Sequence, residues 1–200
     1  MQNILILGAS GSIARVATEQ FLEHPDVRLT LYVRNPRRLK SAELKNADPD
    51  RVRVVEGDVL DAAILKEAMR GQDMVYANLA GELERMARAV VLGMKEVGPR
   101  RLIWISSMGI YDEVPGQKYD RVLDPYRASA QVIEESDLDY TILRPAWFTN
   151  ADEVDYETTR KGEPFRGGVV SRRSVADLVV KLALLPDLEL RGSLGVNKPE

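Results

Sequence analysis

The sequence predicts an α/β fold: a single doubly wound parallel sheet with a small C-terminal extension. Three observations predict it. Ile4-Leu5-Ile6-Leu7 is an apolar run suited to a strand buried on both faces, and a glycine turn and a helical pattern follow at once. Short apolar runs then alternate with amphipathic helical stretches, the pattern of right-handed βαβ crossovers. The chain has 200 residues, 44% of them hydrophobic, which suits one domain over residues 1–200 with a sizeable core.

The elements follow in order. Ile13, Val16, Ala17 and Phe21 fall at helical intervals after the first strand. Val27 to Val33 and Val52 to Glu56 read as the second and third strands. Asp61 to Arg70 reads as a short helix with Ile64, Leu65, Ala68 and Met69 on one side, and Asp73 to Ala77 as the fourth strand. Glu82 to Val97 keeps a 3.6-residue period through Leu83, Met86, Ala87, Val90, Val91 and Met94, and Gly98-Pro99 stops it. Arg101 to Ser106 is a fifth strand, Pro125 to Ser136 a helix and Tyr140 to Leu143 a sixth strand. Ser174 to Leu185 makes the last helix, and Ser193 to Asn197 a short final strand. Residues 109–124 and 146–170 are the least regular stretches. Both follow strand ends, where such sheets place ligands. The second reads either as a flap over a substrate or as an ordinary surface excursion.

Gly8, Gly11 and Ala14 stand at G-x-x-G-x-x-A spacing between the first strand and first helix. That context suits a dinucleotide phosphate: the glycines allow a sharp turn and close approach, and the helix start offers free N–H groups to an anion. A merely structural turn is the plainer alternative.

Composition excludes several classes. No cysteine is present, so disulfides, thiolate metal sites and cysteine nucleophiles are ruled out. With a single histidine, His24, beside Pro25 at a helix end, no zinc site is expected, nor any other metal. A net charge of −3 gives no polycationic surface for nucleic acid. No run reaches the length of a membrane span and no signal peptide is evident, so a cytoplasmic protein without membrane partners is expected, as monomer or homodimer.

The second strand ends Tyr32-Val33-Arg34-Asn35-Pro36-Arg37-Arg38, without the acid that many NAD sites place there. An arginine can grip a 2′-phosphate through two charge-assisted hydrogen bonds, whereas a carboxylate repels it. Arg34 is the candidate, with Arg37 or Arg38 in support, although Arg37, Arg38 and Lys40 also suit a solvated turn. NADP(H) is preferred over NAD(H), which stays open.

These segments resemble, in order, the atypical short-chain dehydrogenase/reductase superfamily, and within it the compact NAD(P)H-binding branch that includes NmrA-like proteins and the flavin/biliverdin-IXβ reductases. The resemblance runs from Met1 to about Pro199 and implies an NAD(P)-binding Rossmann fold whose extension lies on the substrate side. LILGASGSIA is similar to the cofactor glycine loop, implying roles for Gly8, Ser10, Gly11, Ser12 and Ile13. YVRNPRRL resembles the NADP-discriminating loop. VEGDVLD resembles the segment flanking adenine, here Asp58 and Val59. YANLAG resembles the turn beneath adenosine and pyrophosphate, here Asn78, Leu79, Ala80 and Gly81. WISSMGIY is similar to the strand whose serines, Ser106 and Ser107, edge the nicotinamide. SDLDYTILRPAWF resembles the segment whose Pro145-Ala146-Trp147-Phe148 turn lines the nicotinamide side, and VVSRRSVADLVV the segment that closes the domain. Asp58 also suits a turn and helix cap, Asn78 and Gly81 a plain turn, and Phe148 core packing.

The superfamily's Tyr-x-x-x-Lys acid is absent. Four residues after Tyr111, Tyr119 and Tyr126 stand Pro115, Leu123 and Ala130. The branch's Lys-x-x-x-Glu pattern is replaced by Tyr126 and Ala130. Ser107 and Tyr126 remain as polar catalytic helpers, with strand-end and helix-end roles as alternatives. Two readings follow. One is an NADPH-dependent reductase of a flavin, quinone or other electron-poor acceptor that needs no protein acid. The other is a non-catalytic NADP(H) sensor that signals to a protein partner.

Overall fold

The computed structural model describes residues 1–39 and 48–199. Strands β1 (Gln2–Leu7), β2 (Val27–Val33), β3 (Val52–Glu56), β4 (Met74–Ala77), β5 (Arg101–Ile105), β6 (Asp139–Pro145), β8 (Glu157–Arg160) and β10 (Gly192–Asn197) form one sheet in the order β3-β2-β1-β4-β5-β6-β10-β8. All pairs are parallel except β10 with β8, which is antiparallel. β7 (Trp147–Thr149) and β9 (Val169–Ser171) form a separate parallel pair.

Alternation along β1 builds the two cores. Ile4 and Ile6 point into one, Leu5 and Leu7 into the other, and all four are fully buried. The first core is closed by Ala17 and Phe21 of α1 (Ser12–Leu22) and by Val175 and Val179 of α5 (Arg172–Leu184). The second is closed by Leu65 and Met69 of α2 (Ala62–Met69), Val90 and Met94 of α3 (Leu83–Val97), and Ile133 of α4 (Asp124–Glu134). The result is a three-layer α/β/α sandwich, as the strand–helix alternation requires. No described helix is long and apolar enough to cross a membrane.

The regular elements match the sequence reading to within a few residues. The stretch 146–170 does not: it contains β7 and β8 and the first residues of β9. These strands are three or four residues long, too short to show a period. β8 (ETTR) is a polar strand at the sheet edge, formed through its antiparallel pairing with β10. The last helix also begins two residues earlier than Ser174, with Ser171 as its cap.

Candidate functional site

Connections leave β1 toward β2 and β4 toward β5, so the strand order reverses between β1 and β4. A crevice opens at the C-terminal ends of strands at such a switch point. Here it is a cleft of about 550 Å³. Gly8, Ser10 and Gly11 line it after β1, Tyr32 to Asn35 and Arg38 after β2, Gly57 to Val59 after β3, and Asn78 to Ala80 after β4. Met86 of α3 closes the wall.

The glycine loop is built for close approach. Gly8 has φ +74°, and a Cβ there would lie 2.2 Å from the Asn78 carbonyl oxygen. A Cβ on Gly11 would lie 2.3 Å from Asn78 Nδ2. The loop is tied down by Gly8 N–H donating to the Tyr32 carbonyl at 3.1 Å and Gly11 N–H to the Gly8 carbonyl at 2.9 Å. Helix α1 then starts with no side-chain cap and no acid in its first turn. The other described α-helices each have one or the other: Asp61 caps α2, Glu84 and Asp124 stand in the first turns of α3 and α4, and Ser171 caps α5. The first N–H groups of α1 are left to whatever occupies the cleft, and an anion suits them.

At the far end of the cleft, Arg34 and Arg38 both line the wall and Arg37 does not. Asn35 caps the Pro36–Arg38 turn by accepting from Arg37 N–H at 3.0 Å, and Arg15 Nη2 donates to the Arg38 carbonyl at 3.3 Å. Arg34 is exposed, and among the described residues its guanidinium has no partner. Lys40 lies outside the described residues. The carboxylate in the lining is Asp58, which already accepts from Leu60 N–H at 2.9 Å. The turn role foreseen for Asp58 is therefore filled, with its second oxygen left over. Val59 is buried beside it.

The sequence marks Tyr32 as a strand residue that opens the NADP-discriminating loop, with no role of its own, yet its side chain forms part of the cleft. Its hydroxyl donates to the Asp58 carbonyl at 2.8 Å, and a Cβ on Gly57 would fall 2.3 Å from that hydroxyl. Burial, with Asp61 and Asp58 nearby, pushes its pKa up to about 12, so it stays a donor at neutral pH. Tyr32→Phe is expected to cost about 1 kcal/mol in urea unfolding and to loosen the Gly57-Asp58 turn.

The remaining candidates lie outside this lining. Ser12 and Ile13 are the first residues of α1, Ser12 exposed and Ile13 buried, and Gly81 stands just past the β4 turn with φ +109°. Ser106 follows β5. Its N–H donates to the Leu143 carbonyl, and its buried Oγ has no hydrogen-bond partner among the described residues. Ser107 Oγ donates to the Met108 carbonyl at 3.2 Å, which is its strand-end role. Met108 N–H in turn donates to the Pro145 carbonyl, bringing the ends of β5 and β6 together. Pro145 and Ala146 are buried, Trp147 is 73% exposed and Phe148 39% exposed, so Phe148 is not packed into the core. Tyr126 is half-buried on α4, and among the described residues its hydroxyl makes no hydrogen bond.

The other phenols are poor acids. Burial raises Tyr76, Tyr111, Tyr140 and Tyr156, and the hydrogen bond to Asp124 raises Tyr119. Tyr111 stacks under Lys161 and Arg144, but its hydroxyl donates to Glu134, and the net shift is upward. All five shifts run opposite to that of a phenol tuned to give up its proton.

Known proteins place this geometry. A family model described as NAD(P)H-binding matches residues 8–186. A Rossmann-fold NAD(P)-binding family protein from Shigella flexneri is 42% identical, covering 100% of this chain and 94% of that one, with a TM-score of 0.88. A short-chain dehydrogenase/reductase from Veillonella parvula, solved in complex with NADP, is 30% identical over 99% of this chain and 95% of that one, with a TM-score of 0.88. An uncharacterized sugar epimerase of Bacillus subtilis is 24% identical over 88% of this chain and 86% of that protein. With the glycine loop, the switch-point cleft and an anion-ready helix start in place, this chain belongs to the NAD(P)H-binding family, in the atypical branch of the short-chain dehydrogenases/reductases.

Proposed function

We propose that this protein is an NADPH-dependent reductase that delivers hydride to a flat, electron-poor acceptor such as a flavin or quinone, without a protein acid. The observation that carries the reading is the contrast between the two ends of the site. The nucleotide end is fully furnished with glycines, helix N–H groups and arginines. The acceptor end holds an exposed tryptophan, and Tyr111, which Lys161 does touch, donates its hydroxyl to Glu134 and has its pKa raised rather than lowered.

Arg34 and Arg38 would hold a 2′-phosphate, and the α1 start with Ser10 and Gly11 the pyrophosphate. The NADP in the Veillonella parvula relative supports that preference. Asp58 and Val59 would border the adenine, and Asn78, Leu79, Ala80 and Gly81 the adenosine and pyrophosphate. Ser106 Oγ, buried without a partner among the described residues, would bond the nicotinamide amide. When bound, the nicotinamide supplies the hydride. The chain's part is to orient the rings and exclude water: Pro145 and Ala146 form a fixed wall, and Trp147 and Phe148 a stacking surface for the acceptor. Solvent supplies the proton, so Ser107 and Tyr126 only polarise or position.

The vacant Tyr126-Ala130 pair also favours a second reading, a non-catalytic NADP(H) sensor acting on a protein partner. Calorimetric titration with NADPH and NADH tests the shared claim. Arg34→Ala is expected to weaken NADPH roughly ten- to a hundredfold and to spare NADH. Equal loss for both nucleotides would remove Arg34 from the 2′-phosphate. NADPH oxidation by the purified protein with FMN or a quinone then separates reductase from sensor.

A further inference from the structure

Tyr32 joins the core to the cleft. It is 1% exposed and belongs to the second core, with Val59 and Leu65, yet it also lines the cleft. Its hydroxyl reaches the turn that follows β3 and donates to the Asp58 carbonyl at 2.8 Å. That carbonyl also accepts from Asp61 N–H at 2.9 Å, so the phenol is not needed to satisfy it.

What the phenol adds is position. Gly57 lies close against it: a Cβ there would fall 2.3 Å from the hydroxyl oxygen, 2.7 Å from the ring carbon that bears it and 2.8 Å from Ile64 Cγ2. The ring is held by the core. It therefore acts as a stop that sets how far the turn leans into the cleft.

The side chain carried on that turn is the carboxylate of the lining. Asp58 Oδ1 accepts from Leu60 N–H at 2.9 Å, and among the described residues Oδ2 has no partner. An ionised carboxyl oxygen accepts and cannot donate. A base edge set opposite it is therefore selected for an N–H. The 6-amino group of adenine supplies one. The 6-oxo group of hypoxanthine meets the carboxylate with another acceptor, and a site built for a donor penalises that.

We propose that Tyr32 is a positioning residue for base selection: its phenol holds the Gly57-Asp58 turn so that Asp58 meets the 6-amino edge of adenine. This rests on the dinucleotide reading of the cleft. The cleft then chooses its nucleotide at two points, through the arginines at the 2′-phosphate and through Tyr32 and Asp58 at the base.

Calorimetric titration with NADPH and with its 6-oxo analogue, the reduced form of nicotinamide hypoxanthine dinucleotide phosphate, reads the selection as a ratio of affinities. A merely structural tyrosine would weaken both nucleotides alike and leave the ratio where it was. The wild type is expected to favour NADPH by about tenfold or more. Tyr32→Phe is expected to cut that ratio roughly threefold or more. Gly57→Ala keeps the hydroxyl but pushes the turn off the phenol, and with no positive φ at Gly57 it adds no left-handed backbone strain. It should cut the ratio likewise, so the outcome does not hang on the folding of one variant. Asp58→Ala removes the selecting group and brings the ratio near one. Adding Tyr32→Phe to it is expected to change the ratio no further, because the tyrosine acts through the carboxylate.

A wild-type ratio in Tyr32→Phe would overturn the proposal, as would a further change of ratio in the Asp58→Ala background. A wild type that binds both nucleotides equally would overturn it too, by removing Asp58 from the base. If the wild type binds neither nucleotide, the dinucleotide reading of the cleft falls first and base selection with it.

Discussion

Arg144→Met is expected to destabilise the protein by roughly 3–5 kcal/mol, lowering the melting temperature by about 10 °C. Arg144 and Glu113 form an ion pair with side-chain exposures of 0% and 5%. Arg144 also donates from Nε to Ser193 Oγ at 3.0 Å, and from Nη2 to the Ser193 carbonyl at 3.3 Å and the Thr159 carbonyl at 3.4 Å. Glu113 accepts from Gly109 N–H at 3.0 Å and Tyr111 N–H at 2.8 Å, and its carbonyl accepts from Phe165 N–H. One guanidinium thus joins β6, β8, β10 and the loop after β5. Methionine fills much of the volume but strands a buried carboxylate, and that penalty dominates. Adding Glu113→Gln to Arg144→Met removes the stranded charge and is expected to restore part of the loss. Urea midpoints for the two variants decide it. A single-variant loss below about 1 kcal/mol would mean that the carboxylate is neutral or reaches water.

Gly8→Ala is expected to disable the nucleotide end of the site. Gly71 is an internal control, since it has φ +72° and nothing within 4 Å of its would-be Cβ. Gly71→Ala therefore meets backbone strain alone, about 1–2 kcal/mol. At Gly8 the same strain is joined by a collision with the Asn78 carbonyl, which adds roughly 1–3 kcal/mol. The carbonyl belongs to the backbone of the β4 turn, so the collision is relieved only by parting that turn from the glycine loop. NADPH affinity should fall with stability in Gly8→Ala and be unchanged in Gly71→Ala. Equal stability and equal affinity in the two variants would show that the loop tolerates a side chain.

What the sequence disclosed follows the range of the interactions. Ile4 to Leu7, Gly8, Gly11 and the start of α1 are contiguous, so strand, turn and helix were readable together. The segments bearing Arg34, Asp58 and Asn78 each follow a strand, and the parallel topology brings strand ends to one edge. Tyr32 was hidden because its phenol reaches a carbonyl 26 residues away. Arg144 and Glu113 lie 31 residues apart, and Arg172 and Ser12 lie 160 apart. No local pattern announces such pairs. β7, β8 and β9 were missed for the same reason, since each is a strand only by virtue of its distant partner.

The position of β10 sets an order of events during synthesis. Strands β1 to β6 can pair with one another once residue 145 has left the ribosome, because every neighbour they have precedes it except β10, the second partner of β6. β8 must wait for residues 192–197, since its partner in the sheet is β10. The start of the flap waits as well: Ala146 N–H donates to the Val196 carbonyl, and Lys198 N–H to the Val169 carbonyl. The growing chain therefore forms the strand framework of its nucleotide half while residues 146–170 are still unanchored. A nascent chain can present its dinucleotide cleft before the segment that follows β6 is fixed in place.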